Sequence, residues 1–299
     1  MKTSRPYQRV AVLMGGPSAE RDVSLRSGQA VARGLEQAGY AVAPVDVQGR
    51  SLALPAGAEA VFIALHGEFG EDGGVQALLD RMGVPYTGSG AEASRLSFDK
   101  KASKGVFAAH AIPTPAYECL KPGDARSLPL PVVTKPLRQG SSIGVHIVTS
   151  EPEWNAALAD TRRYGEEVLV ERYVEGIELT AGVVDNEALP VVQILAPEGN
   201  YDYRAKYTKG MSRYLVPADI GADLERAART LGLETFRAFG CRGLGRVDIR
   251  VAADGAPYVL ELNSIPGFTE TSLLPMAAGQ AGMTFPELCD RIMRTAQTA

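Results

Sequence analysis

Asp248, Glu261 and Asn263 carry oxygen ligands and lie on either side of one turn signal. Residues 247–251 and 257–263 flank Ala253-Asp254-Gly255-Ala256. Asp-Gly between alternating apolar residues marks a hairpin. With Asp254-Gly255 as a two-residue turn, Val247 faces Leu262, Ile249 faces Leu260 and Val251 faces Tyr258 on one apolar face. The other face pairs Asp248 with Glu261 and Arg246 with Asn263. Opposed carboxylates repel unless a cation lies between them. Carboxylate and amide oxygens are hard donors, suited to Mg2+ or Mn2+ and not to Zn2+. A solvated hairpin face neutralised by Arg246 fits the same residues. A three-residue turn with a bulge would break this register.

A second chemical signal is the loop Lys135-Pro136-Leu137-Arg138-Gln139-Gly140-Ser141-Ser142-Ile143-Gly144 between two strand-like runs. No G-x-x-x-x-G-K-S/T occurs, which excludes a P-loop. Gly15-Gly16 and Gly243-Leu244-Gly245 both fall short of G-x-G-x-x-G, which excludes that dinucleotide fingerprint. Backbone N–H groups and hydroxyls in a Gly/Ser loop can still cradle phosphate, with Lys135 to neutralise it. An ordinary hairpin loop with a surface lysine is the other reading. Glu20, in Gly16-Pro17-Ser18-Ala19-Glu20, sits in a strand-to-helix loop, where function collects in α/β sheets. It could equally be a carboxylate complementing a helix dipole. His66-Gly67-Glu68 ends a strand at the same sheet edge or is a plain loop histidine. Asp99-Lys100-Lys101 reads as a solvated helix face, and Trp154 and Cys241 as packing residues.

These groups need elements to hold them. Residues 9–14, 41–47 and 60–65 read as strands, and residues 24–38 and 75–82 as helices. This βαβ rhythm implies a parallel sheet with helices on its faces. A lysine-rich amphipathic helix over 94–111 leads to Pro113 and Pro115, a domain border. Strands over 131–136, 144–148 and 166–174 with a helix over 151–164 suggest a small α+β unit. Strands over 179–184 and 189–195, a polar loop over 201–216, a helix over 219–239, the hairpin and a last helix over 285–295 complete the chain. The domains expected are 1–95, 96–180 and 181–299.

Composition narrows the function classes. The chain has 299 residues, with 31 Lys and Arg against 35 Asp and Glu. A net charge of -4 excludes generic attraction to nucleic acid. At 45% hydrophobic the chain can bury a core, and no apolar run approaches a membrane span. No signal peptide is evident at the start. Three cysteines without C-x-x-C spacing read as reduced thiols in the cytoplasm. Three histidines leave little imidazole for acid–base work, whereas 32 glycines are an excess over the usual ~7%.

Together the blocks resemble the D-alanine–D-alanine ligases of the ATP-grasp superfamily, along essentially the whole chain. The resemblance rests on residues 16–24, His66-Gly67 with 70–73, Asp99-Lys100, the 135–144 loop, 201–207, 245–248, and 261–263 with Pro266-Gly267. It implies an α/β, three-domain ATP-grasp fold with a Rossmann-like N-terminal sheet and two α+β domains around the nucleotide. It implies ATP-dependent joining of two D-alanines through a D-alanyl phosphate, for peptidoglycan precursors. Lys100, Lys135 and Ser142, with Lys206 in a closing lid over 201–214, match phosphate-side groups. Glu171, Glu178 and Val174 match nucleotide contacts. Asp248, Glu261 and Asn263 match ligands of two Mg2+ or Mn2+ ions. Arg246 and the N–H of Gly267 match the oxyanion donors. Glu20 matches the carboxylate that holds the first D-alanine's ammonium, with Ser141 and Tyr207 as its partners. His66 matches a histidine near that substrate, and Ser272 and Leu273 a segment receiving the second D-alanine. A homodimer is implied too. Gln139 departs from the glutamate common there, and Ser264-Ile265-Pro266 and Phe268 vary around the oxyanion segment. Two rivals are a D-alanine–D-lactate ligase, against which Tyr207 and a lid without histidine argue, and a non-catalytic nucleotide-binding relative, which would have broken phosphate or metal positions.

Overall fold

The structure, a computed structural model, describes residues 5–196 and 211–298. Its first sheet joins Arg9–Gly15 (β1), Ala41–Val47 (β2) and Ala60–Ile63 (β3) in the order β2-β1-β3, all parallel. Helices Arg21–Gln37 (α1) and Gly74–Met82 (α2) accompany it. Strand alternation sorts β1 between two cores. Val10, Val12 and Met14 pack with Val31 and Leu35 of α1, while Ala11 and Leu13 pack with Val75 and Leu79 of α2. Both faces are covered, so β1 reads as a continuous apolar run.

The lysine-rich segment differs from the single helix expected over 94–111. It forms two helices, Ala91–Phe98 (α3) and Lys100–Ala109 (α4), broken at Asp99. Asp99 adopts an extended backbone and its carboxylate accepts from the N–H groups of Lys101 and Ala102, at 3.0 and 3.1 Å. It is an N-cap and not a solvated face: a short polar side chain satisfies amides that a helix start leaves unpaired.

A four-stranded antiparallel sheet follows, in the order β4-β7-β5-β6. Its strands are Tyr117–Leu120 (β4), Val132–Pro136 (β5), His146–Val148 (β6) and Val168–Arg172 (β7). Helix Glu151–Arg162 (α5) covers one face, with Leu120, Val132, Val148, Ala157, Val168 and Val170 in a core of their own and Trp154 packed on it. Alternation therefore turns Val133, Lys135 and Glu171 to the other face. Strand β4 was not expected from the sequence.

The third sheet has the order β11-β10-β8-β12-β13, with β9 on β8. Its strands are Gly176–Val184 (β8), Glu187–Ala188 (β9), Val192–Leu195 (β10), Arg213–Leu215 (β11), Leu244–Ala252 (β12) and Pro257–Asn263 (β13). Strand β8 runs across the border expected at 180/181, and β11 occupies part of the expected polar loop. Helices Ala222–Ala238 (α6), Leu273–Gln280 (α7) and Phe285–Arg294 (α8) complete the fold. Helix α8 packs back on α1, so Leu288 and Ile292 share a core with Val31 and Leu35. Cys241 is buried in the core beside α6. No helix among the described residues is long and apolar enough to cross a membrane.

The β12–β13 hairpin corrects the expected register in part. Its turn has three residues, with Gly255 at φ +85°, closed by Ala252 N–H to Ala256 O at 2.9 Å. Hence Val251 faces Pro257 and Ile249 faces Val259, not Tyr258 and Leu260. A bulge between Asp248 and Ile249 then absorbs Leu260. Beyond it Asp248 faces Glu261, Val247 faces Leu262 and Arg246 faces Asn263, as expected. The turn and the bulge cancel one another, and Leu260 leaves the core for the cleft. Because Asp99 caps α4 through two amides, Asp99→Ala should lower stability by about 1 kcal/mol, read as a lower midpoint of urea unfolding.

Candidate active site

The free faces of the second and third sheets enclose a cleft of about 880 Å3, open to solvent. Lys100, Lys135, Ser142, Glu171, Val174, Glu178, Asp248 and Glu261 all line it. The structure thus collects every phosphate-side, nucleotide and carboxylate metal position expected from the sequence, apart from Lys206. Lys206 and Tyr207 lie outside the described residues, as does the lid over 201–210.

Each acid in the cleft meets a base. Glu171 is 1% exposed and is ion-paired through one oxygen to Lys104 and through the other to Lys135. Burial alone would raise its pKa, but Lys135 and Lys104 outweigh that and hold it below the ordinary carboxylate range. Burial likewise depresses Lys135, but Glu171, Glu261 and Glu178 more than offset this and lift its pKa. Glu178 pairs with Arg250 at 3.3 Å, and β8 sets them opposite one another. Lys100 lies 3.6 Å from Glu261 and donates to the Gln139 carbonyl at 2.7 Å. That bond uses the main chain, so the Gln139 side chain leaves it intact.

Asp248 is 7% exposed. It accepts two bonds from Arg246, both at 2.8 Å, one from Thr180 at 2.8 Å and one from the Asn263 amide at 3.2 Å. Arg246 does neutralise this face, but the face is the wall of a cleft and not a solvated surface. Among the described residues no group of three or more His, Cys, Asp or Glu side chains could hold a metal. The hairpin offers two carboxylates and an amide oxygen, a hard set that fits a magnesium-like ion completed by phosphate oxygens.

A smaller recess of about 310 Å3, counted with space open to solvent, adjoins the cleft, sharing Lys100, Gln139 and Glu261 and adding Glu71, Gly140, Asn263 and Ser264. Glu20 stands beside it at the start of α1, where its side chain makes no cap bond. Instead Ser141 donates to Glu20, which ties the first sheet to the Gly/Ser loop. His66 is buried, not a surface loop residue: Nδ1 lies 3.1 Å from the Ile265 carbonyl and Nε2 3.0 Å from Ser27 Oγ. Ser27 Oγ also accepts from the Phe268 N–H at 3.2 Å, so His66 braces the 265–268 segment next to Gly267. Burial pulls the His66 pKa down, but Glu71 and Glu20 reverse the sign. Ser272 accepts from the Thr269 N–H at 2.9 Å. The Leu273 side chain lies in the core, so only its main chain can meet a ligand.

Sequence reasoning missed Lys104, Arg250 and Glu71. Arg250 was legible, because Arg246, Asp248 and Arg250 alternate onto one strand face. Lys104 falls one turn after Lys100 on α4, but its burial depends on a strand far along the chain.

Gly140 lies tight against the Glu20 carboxylate. A Cβ there would stand 2.6 Å from Glu20 Oε2. Gly140→Ala should push Glu20 off Ser141 and loosen the loop. Amides of residues 139–144 should then exchange hydrogen at least about tenfold faster; unchanged protection by mass spectrometry would refute this.

Known proteins resemble this chain in sequence and fold. Residues 112–294 match the family described as D-ala D-ala ligase C-terminus, and residues 48–89 the D-ala D-ala ligase N-terminus. The D-alanine–D-alanine ligase of Desulforudis audaxviator is 48% identical, over 97% of this chain and 99% of its own. The D-alanine–D-alanine ligase of Bacillus anthracis, solved in complex with ATP, superposes with a TM-score of 0.84 at 30% identity, covering 96% of this chain and 97% of that one. The VanG D-Ala:D-Ser ligase of Enterococcus faecalis gives 0.84 at 26% identity, covering 96% and 99%. Three sheets around one charged cleft and likeness along nearly the full length agree: this chain belongs to the D-alanine–D-alanine ligase family, with its ATP-grasp fold.

Proposed function

We propose that the chain joins two D-alanines into D-alanyl-D-alanine with ATP, for peptidoglycan precursor synthesis. One observation carries this: the charged cleft and the small polar recess meet at Lys100, Gln139 and Glu261. A reaction between ATP and a small carboxylate needs that junction.

Phosphoryl transfer asks for positioning and charge neutralisation more than for acid–base groups. Lys100, Lys135, Ser142 and the Gly/Ser loop would hold the phosphates. Glu171, Val174 and Glu178 would hold the nucleoside. Asp248, Glu261 and Asn263 would hold two Mg2+ or Mn2+ ions, which when bound supply charge neutralisation at the phosphate oxygens. Glu20, steadied by Ser141, would take the ammonium of the first D-alanine, whose carboxylate attacks the terminal phosphorus as ADP leaves. The second D-alanine's amine then attacks the acyl carbon, and phosphate departs. Arg246 and the Gly267 N–H would face the oxyanion, a donor role that repels no developing charge. His66 would brace the first-substrate side, and Ser272 and the Leu273 N–H would take the second carboxylate. Lys206 and Tyr207, in the lid, would close over phosphate and Glu20 and keep water from the acyl phosphate.

The reading takes in three units at 1–95, 96–180 and 181–299. It also takes in a homodimer and a cytoplasmic setting, with the free thiols of Cys119, Cys241 and Cys289 in favour of a reducing compartment.

Purified protein with ATP, Mg2+ and D-alanine should release phosphate and form the dipeptide, with D-lactate a poor competitor at neutral pH. Absence of product at saturating D-alanine would refute the reading. Glu261→Gln should weaken the apparent Mg2+ affinity by at least about tenfold, read from a magnesium titration of phosphate release. A metal dependence like that of the unaltered chain would remove Glu261 from the site.

A further inference from the structure

Lys104 is a buried lysine that the reaction does not obviously use. It is 2% exposed and lines neither cavity. Its ammonium pairs with one oxygen of Glu171 and donates to Thr114 Oγ1. Thr114 in turn donates to the Val259 carbonyl at 2.8 Å, and the Val259 N–H donates to Pro113 O at 2.7 Å. The rings of Tyr117 and Phe107 lie 5.1 and 5.6 Å from the ammonium and attract a cation, while burial, with Lys135 nearby, holds the Lys104 pKa below the ordinary lysine value against the pull of Glu171. Lys104 therefore reaches from α4 to β7 in one sheet and, through Thr114, to β13 in the other.

Lys135 holds the other oxygen of Glu171 but, unlike Lys104, lines the cleft. A phosphate entering the cleft competes with Glu171 for Lys135. If Lys135 were the only cation on Glu171, its departure would leave a carboxylate buried without a partner, which is strongly unfavourable. We propose that Lys104 is a positioning residue: it is the standing counter-charge of Glu171 and so frees Lys135 to turn to the nucleotide. The proposal rests on the nucleotide reading of the cleft.

Lys104→Met tests it. Binding of a non-hydrolysable ATP analogue, measured by titration calorimetry, should weaken about tenfold, and KM for ATP should rise in step, while KM for D-alanine stays within about threefold. In the Glu171→Gln background, where no buried carboxylate needs a partner, the same lysine change should alter binding by less than about threefold. A merely structural lysine would move both KM values and the melting temperature together, in both backgrounds. Analogue binding by folded Lys104→Met within threefold of the unaltered chain would overturn the proposal. So would an equal loss in the Glu171→Gln background. Should Lys104→Met fail to fold, the comparison of Glu171→Gln with the double variant decides: near-equal binding supports the proposal and a tenfold difference overturns it. An unaltered chain that binds no analogue overturns the nucleotide reading itself, and the proposal with it.

Discussion

Charge in a confined place must be matched. A cleft that handles phosphate needs lysine and arginine, and a cleft that handles cations needs carboxylates. Glu171, Lys135 and Asp248 are buried in the walls of this cleft, and a buried charge without a partner is costly. The chain meets this by pairing across elements. Lys104 and Lys135 hold Glu171, Arg250 holds Glu178, Arg246 holds Asp248, and Lys100 stands near Glu261. Breaking a buried pair from one side is costly, whereas exchanging partners is not. A ligand that brings both phosphates and cations can take over these partners together. The strand alternation that turns Lys135 and Glu171 from one sheet, and Glu178 and Asp248 from the other, toward the cleft is therefore set by charge as much as by the cores behind it.

The cores explain how the pairing is held. The second sheet has its own small apolar cluster, whereas the first sheet shares a core with β8, β10 and α8. Across the cleft the second sheet meets the third through cation–ring contacts, Arg172 over Tyr258 and Arg250 over Tyr173, while the Val259 N–H bonds the Pro113 carbonyl just before β4. Polar contacts of this kind are specific in geometry but add little apolar burial. The cleft thus lies where the two sheets are joined by polar and cation–ring contacts and not by a shared apolar core.

Much of this was legible in the residues. The alternation in β12 and β13, the Asp-Gly turn and the apolar run of β1 are local signals, and local signals survive folding. The pairing of Asp248 with Glu261 was legible although the turn beside it was misjudged, because the bulge at Leu260 restored the count. The break at Asp99 was present in the sequence as a capping residue, but the surrounding lysines read as one long solvated helix. Helix α7 was hidden by Pro275, which the first turn of a helix tolerates. Lys104 could not be found this way. Its burial comes from Thr114, Tyr117 and Glu171, and only the fold brings those to one point.

The paired turn and bulge in the β12–β13 hairpin carry a consequence for anyone who edits or grafts this strand pair. Straightening the bulge into a regular ladder, with every residue kept, looks like a harmless tidying. With the three-residue turn in place it would set Leu260 opposite Asp248 and Glu261 opposite Val247, and carry Glu261 from the cleft toward the core. A transplanted or redesigned hairpin must therefore keep the bulge or drop Leu260 along with it.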